Sequence, residues 1–248
     1  DLNGDGKPDL AVVNNGSTSV SVFLNTTTPG ASTPSFSAKT DFTTGAGPNL
    51  ASIGDLNGDG KPDLAVPNLS ANNVSVFLNT TTPGASTPTF SAKTDFTTGT
   101  GPNLASIGDL NGDGKPDLAT ANSVTGINTV SVLLNTTTPG ASTPTFSAKT
   151  DFTTGSRPFS VSFGDFNGDG KPDLAAANNS GNTVSVLLNT ASLPLPVELA
   201  SFTSSVNSNS VTLNWSTTQE QNNKGFEIER NSFGIGWKKI GYVKGHGT

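Results

Sequence analysis

A nine-residue stretch, Asp55-Leu-Asn-Gly-Asp-Gly-Lys-Pro-Asp63, constrains this chain more than any other part of it. It occurs four times, starting at Asp1, Asp55, Asp109 and Asp165, the last with Phe166 in place of Leu. The starts are 54, 54 and 56 residues apart. Self-similarity at that period indicates blades or arrays built from one supersecondary unit.

Within each copy, oxygen side chains fall at positions one, three, five and nine, and the carbonyl of position seven adds another. The candidate ligand sets are Asp1, Asn3, Asp5, Lys7 and Asp9; Asp55, Asn57, Asp59, Lys61 and Asp63; Asp109, Asn111, Asp113, Lys115 and Asp117; and Asp165, Asn167, Asp169, Lys171 and Asp173, each Lys through its backbone oxygen. Ca²⁺ accepts six to eight oxygens in irregular geometry, whereas Mg²⁺ demands a near-ideal octahedron. Transition metals are poorly served, since there is no Cys and the one His, His246, is remote. About four Ca²⁺, one per loop, is the expectation. Gly58 and Gly60 permit the sharp wrap, and Pro62 fixes one φ before the last ligand. Asp, Asn and Gly also dominate ordinary turns; four copies at one ligand spacing argue against that simpler reading.

An EF-hand loop requires a Glu at position twelve and flanking helices. Position twelve is here Val12, Val66, Thr120 or Ala176, and strand-like sequence follows. A dockerin fails on the same grounds. Over residues 1 to about 190 the loops resemble the calcium loops of FG-GAP, or VCBS-type, repeats of integrin α-chain propellers and many secreted bacterial proteins. The resemblance implies β-propeller blades, usually seven in number, and calcium binding.

One unit reads as four short strands: Pro102–Gly108, Asp117–Ala121, Thr129–Asn135 and Phe146–Phe152. Val130 and Val132 alternate with Ser131 as a strand requires. Four antiparallel strands per unit make a propeller blade. A β-helix would repeat at a shorter period, and kelch or WD propellers lack these Asp loops. The 248 residues hold two complete blades and two partial ones, so the expected fold is all-β, an open-arc partial β-propeller over 1–190. Missing blades are expected upstream. The connection Leu-Asn-Thr-Thr-Thr-Pro-Gly-Ala-Ser-Thr-Pro recurs verbatim from Leu24, Leu78 and Leu134. The fourth unit deviates: Arg157 replaces Gly47 and Gly101, Phe159 replaces Asn49 and Asn103, and Phe163 and Phe166 are new. Two extra residues lie between Ala121 and Val130.

A Pro-rich linker, 191–196, precedes a change of composition. All four Glu, both Trp, the one Tyr and the one His lie beyond it. Alternation over Val197–Phe202, Ser210–Ser216, Gly225–Arg230 and Trp237–Val243 predicts four strands of a truncated β-sandwich over 197–248. Leu-Pro-Val-Glu-Leu, Leu-Asn-Trp-Ser and Gly-Phe-Glu-Ile-Glu-Arg resemble the fibronectin type III-like module of secreted Bacteroidetes proteins. That resemblance implies a Gram-negative source and type IX secretion. The chain reads as a fragment truncated at both ends, with no signal peptide visible.

The net charge is −6, but twelve of the nineteen acids are loop Asp, and four bound Ca²⁺ would move it to +2. The acidity is thus a metal-site signature, not evidence for a basic partner. No basic stripe suits nucleic acid, and no apolar run reaches the ~18 residues of a membrane span. Calcium sites of extracellular type work at ~10⁻⁴–10⁻³ M, which favours a secreted or cell-surface location.

Outside the loops, Lys39, Lys93 and Lys149 each share a strand face with Asp41, Asp95 and Asp151, read as solvated pairs. His246 reads as a loop residue, and Trp215 and Trp237 as sandwich core. Arg157 and Phe159 fall in a turn that packs at the end of the array or contacts a ligand. Metal-bound carboxylates are poor general acids, and no nucleophile–base pair is apparent, so a non-catalytic protein is expected. Three functions remain open: a calcium-binding adhesion or ligand-binding propeller, a lectin-like carbohydrate binder, and the accessory region of a larger secreted enzyme. The partner would be an unknown protein or glycan, and the chain a monomer.

Overall fold

The computed structural model describes residues 1–191, 197–207, 210–220, 225–232 and 236–245. Among these the chain is all-β with no helix. Two compact units emerge. The first is Asp1–Leu110 with Lys115–Thr190; the second is Ala191–Thr248 with Asn111–Gly114.

The first unit holds four small antiparallel sheets, consistent with partial propeller blades. Strands β1 (Leu10–Asn14), β2 (Ser19–Phe23) and β3 (Thr40–Thr43) form the first. Strands β4 (Ser52–Gly54), β5 (Asp63–Asn68), β6 (Asn73–Phe77) and β7 (Thr94–Thr97) form the second. The third contains β8 (Pro102–Gly108), β9 (Asp117–Asn122), β10 (Thr129–Leu133) and β11 (Thr150–Thr153), and the fourth β12 (Pro158–Gly164), β13 (Asp173–Asn178) and β14 (Thr183–Leu187). Two four-stranded sheets flanked by two three-stranded ones match the count read from the repeats. The two extra residues of the third unit lengthen the β9–β10 turn, as the spacing requires.

One boundary moves. The fourth strand of the third sheet starts at Thr150, not Phe146. Phe146 makes only an isolated bridge to Asn135. There the Ser147 hydroxyl accepts the Leu134 N–H at 3.0 Å, so a side chain replaces the ladder bond and the pairing breaks.

The core lies between sheets rather than within them. Alternate residues of each sheet face opposite neighbours. In the first sheet Ala11, Val13, Val20 and Val22 face forward and pack against Leu64, Val66 and Phe77 of the second. Ala65, Val74, Val76 and Leu78 of the second meet Ala105, Leu118 and Leu133 of the third. Ala119, Ala121, Val130 and Val132 of the third meet Val161, Leu174 and Ala176 of the fourth. Each layer therefore joins the front of one sheet to the back of the next.

The second unit contains β15 (Val197–Asn207), β16 (Ser210–Glu220), β17 (Gly225–Ser232) and β18 (Gly236–Lys244). They form two hairpins, β15–β16 and β17–β18, each a sheet of its own. The four predicted strands are present and longer than their alternation suggests. Trp215, half-buried, meets Phe226 edge-on, with ring centroids 5.5 Å apart. Phe202, Val206 and Val211 remain exposed. The side chain of Trp237, the linker residues 192–196 and His246 lie outside the described residues.

Candidate metal centre

Each Asp loop joins the first strand of a sheet to the second, except in the first sheet, where it leads directly into β1. Glycines at positions four and six adopt positive φ in all four copies, between +66° and +85°. A side chain there would be strained whatever the space, which accounts for both glycines.

The first Asp organises the turn. In the second loop, Asp55 Oδ1 accepts the N–H groups of Gly58 (2.7 Å) and Asp59 (3.2 Å), and Oδ2 that of Gly60 (2.8 Å). Asn57 Oδ1 accepts the Asp59 N–H at 3.2 Å, and Asp59 Oδ1 that of Lys61 at 2.9 Å. The fourth loop repeats this with Asp165, Asn167, Asp169 and Lys171. Hydrogen bonds led by that from Gly170 hold the Asp165 carboxyl below its ordinary value. In the first loop Asp1 accepts from Asp5 and Gly6, and Asp5 from Lys7. In the third, Asn111 accepts from Asp113 at 3.0 Å.

The ninth residue behaves differently. Asp63, Asp117 and Asp173 are fully buried, and Asp9 partly so. Each ties the loop start to the residues just past the hairpin partner of the strand that the loop leads into. Asp63 takes the Leu56 N–H on Oδ2 and the Asn79 N–H on Oδ1, both at 2.7 Å. Asp9 receives Leu2 and Asn25, Asp117 receives Leu110 and Asn135, and Asp173 receives Phe166 and Asn189. Burial pushes the Asp63 carboxyl up to about 6; the bonds from Asn79 and Leu56 oppose this, and the charges of Asp59 and Asp55 add to it.

These features define the fit to a cation. The donors are all hard oxygens. One carboxylate is desolvated while two others raise its pKa, an arrangement that a divalent countercharge relieves. A carboxylate oxygen has two lone pairs, so those that accept a single N–H, such as Asp55 Oδ2, Asp59 Oδ1 and both oxygens of Asp63, keep capacity for a metal, whereas Asp55 Oδ1 already accepts two. Among the described residues, however, no three Asp, Glu, His or Cys side chains already converge as a metal cluster. The loops hold their acids on backbone N–H groups, and the set predicted from sequence is arrayed around the turn rather than closed on one point.

A residue that the ligand spacing does not flag links the loops to their surroundings. Asn79, in the recurrent Leu-Asn-Thr, donates from Nδ2 to Pro62 O (2.9 Å) and to Leu2 O of the preceding loop (2.8 Å), and its Oδ1 accepts the Thr81 N–H. Asn135 and Asn189 repeat the bridge to Leu56 and Leu110. The connection that follows also docks on the preceding loop. Gly84 N–H donates to Asn3 O and Gly140 N–H to Asn57 O, both at 2.7 Å. Asn3 and Asn57 answer from Nδ2 to Ala85 O and Ala141 O, both at 3.0 Å. Position three is thus a cross-sheet tether as well as a candidate ligand. The verbatim repetition of the connection was the signal for this contact.

The Lys–Asp pairs form at the surface, as expected, and each is extended inward by further hydrogen bonds. Lys39 and Asp41 lie 2.5 Å apart, and Lys93–Asp95 and Lys149–Asp151 are also paired. Each Asp additionally accepts a Ser hydroxyl at 2.6 Å, from Ser21, Ser75 or Ser131. Those hydroxyls accept in turn from Asn14, Asn68 and Asn122. The pair is the outer end of a chain crossing three strands. Arg157 has φ +54°, matching +64° and +69° at Gly47 and Gly101, and its Nε donates to Ser123 O of the preceding sheet at 2.9 Å. It is a packing residue. Phe159 stays exposed at the rim of a cleft with Ala177, Asn182 and Val184.

The FG-GAP-like repeat model matches residues 1–66, 55–120 and 109–176, each stretch running from one Asp loop through the next. The chain belongs to the FG-GAP-like repeat family. The three matches together include all four loops of this FG-GAP-like protein. No curated protein matches the chain.

Proposed function

We propose that this FG-GAP-like chain is a non-catalytic, calcium-stabilised binding protein of the cell exterior, serving adhesion or ligand capture. The observation that carries the reading is Asp63, a buried carboxylate crowded by Asp55 and Asp59 and bridging three chain segments. FG-GAP repeats often bind Ca²⁺. Here the side chains of Asp55, Asn57, Asp59 and Asp63 with the Lys61 carbonyl would hold it, as would their counterparts in the other loops. A bound ion supplies the countercharge that the buried acid needs.

The chain's own residues then do the rest. Asp63 joins the loop to the third strand, and Asn79 joins both to the preceding sheet. Stabilising the loop therefore stabilises the stack. The fibronectin type III-like reading of the second unit and secretion by a Gram-negative bacterium belong to the same proposal, supported by the sequence motifs of residues 195–230.

Calorimetry with calcium and with chelator tests it. With Kd ~10 μM and ~1 mM Ca²⁺, each loop gains ~2.7 kcal/mol, so the melting midpoint should rise sharply. Equal midpoints would remove the structural role of the ion.

A further inference from the structure

The repeats are near-copies, and two of their departures touch each other where the third and fourth sheets meet, at the ends of β9 and β13 away from the Asp loops. One is the lengthened β9–β10 turn, residues 123–128. The other is Arg157, where the preceding repeats have Gly47 and Gly101. Arg157 holds φ +54°, a left-handed backbone that glycine adopts without strain. The other non-glycine residues with positive φ among the described residues are Asn72 and Asn182, a type that tolerates it. An outlier of this kind persists only where its surroundings over-determine it, and such outliers cluster at ligand clamps.

The surroundings here aim the side chain. The Arg157 N–H donates to Asn128 Oδ1 at 3.1 Å, its carbonyl accepts the Asn179 N–H at 2.9 Å, and Nε donates to Ser123 O at 2.9 Å. The remaining guanidinium donors, on Nη1 and Nη2, meet no acceptor among the described residues. They reach solvent: Arg157 is half-buried, and the buried side-chain atoms without a partner belong, among the described residues, to Asn68, Thr120, Asn122 and Asn178. No carboxylate serves this cation. Asp151, the acid nearest in sequence, is held by Lys149 and Ser131. The Asp loops lie at the other ends of β9 and β13, about 20 Å away at ~3.3 Å per strand residue, beyond the ~8 Å screening length of physiological salt.

We propose that Arg157 anchors a peptide-binding site, taking the carboxylate of an Asp or Glu side chain of a partner polypeptide through Nη1 and Nη2. A guanidinium presents a planar fork that matches both oxygens of a carboxylate. The bond to Ser123 that packs Arg157 on the third sheet also fixes the fork in advance, so less side-chain freedom is lost on binding. The neighbours favour a peptide over a glycan. In the turn that Arg157 binds, Val124 is exposed at 37% and Ile127 is half-buried, offering apolar surface to side chains beside the acid. No aromatic residue lies in turns 123–128 or 179–182. The exposed ring nearest in sequence, Phe159, lies instead with Ala177 and Val184 of the fourth sheet. Such a site rests on the ligand-capture reading above and narrows it to acidic polypeptides.

Arg157 and Arg230 are the only arginines, so the side-chain Nε–Hε NMR spectrum of the full chain holds two signals, which Arg157→Lys assigns. In calcium, the Arg157 signal should shift saturably with a capped Val-Glu-Val peptide and not with capped Val-Gln-Val. Arg157→Lys keeps the charge and loses the fork; it should weaken a fluorescent Val-Glu-Val peptide at least ~10-fold by anisotropy. The calcium-dependent melt verifies that the variant folds, and the wild-type titration stands without it. A silent Arg157, equal shifts at Arg230, equal shifts with the Gln peptide, or unchanged affinity in folded Arg157→Lys would overturn the proposal. Acetate or glucuronate binding as tightly as the Glu peptide would overturn the choice of a peptide, in favour of a bare oxyanion or an acidic glycan. Equal melting midpoints in calcium and chelator would remove the calcium reading alone; a calcium-stabilised chain with a silent Arg157 would remove this site alone.

Discussion

Asp63 sets the pH response of the second loop. Its folded pKa of about 6 lies above the ordinary carboxylate value of 3.8, so the metal-free folded state holds this proton more tightly than the unfolded chain. The cost of ionising it in place is fully present above pH 6 and is relieved as pH falls from 6 towards 4. Asp41, Asp151 and Asp165 are shifted the other way, the first by its bonds to Lys39 and Ser21, and the loss of their contribution waits for lower pH. In chelator, Asp63→Asn should flatten the pH 6 to 4 limb of the melting curve. With calcium present, the same variant should forfeit the second loop's share, ~2–3 kcal/mol by the linkage relation. A calcium shift equal to that of the wild type would show that Asp63 contributes nothing to binding. Arg157 is the other informative residue. Glycine there would relieve a left-handed backbone but lose the bond to Ser123. A hydrogen bond from a charged donor outweighs that strain, so Arg157→Gly should destabilise by ~1 kcal/mol in denaturant titration.

At the scale of the element, the loop and the connection form one joint. Asn135 reaches Pro116 and the preceding sheet's Leu56, whereas Asn25 reaches only Pro8 of its own loop. Asn135→Ala should therefore cost more than Asn25→Ala, by ~1–3 kcal/mol for the additional buried acceptor left unpaired. Equal losses in urea titrations would mean that the cross-sheet bond carries no stability. The loops, the strand count and the turn with two extra residues were legible because ligand spacing and period-two alternation are local signals. Asn79 and its equivalents were not, since an asparagine after an apolar strand is ordinary in sequence and acquires its role only when the preceding sheet arrives. The surface pairs of Asp41, Asp95 and Asp151 with lysine were legible, but their inward extension was not: Ser21, Ser75 and Ser131 look like the polar half of an alternating strand, and only pairing places them beside those acids.

Across the first unit, stability resides in three apolar layers and in the tethers beside them. Because Asn3 and Asn57 bind the following connection, calcium at either loop should raise the stability of two sheets together. Hydrogen exchange should show the β5–β6 amides and the connection around Gly84 and Ala85 becoming protected in the same calcium range. Protection confined to the loop itself would argue that the tether is passive. The four-sheet organisation was readable from the repeat. What the repeat conceals is where the core lies, because a Val-Ser-Val alternation has one apolar face whether its cover is a helix, its own sheet or a neighbour.

That placement bears on how such a protein changes length over generations. No sheet owns a core; every apolar layer is shared by two. Inserting or deleting one whole repeat by recombination between the near-identical connections creates or removes a single seam and leaves all others as they were. A crossover out of phase would strand half a seam against a mismatched neighbour, so viable descendants of this gene should differ by complete units.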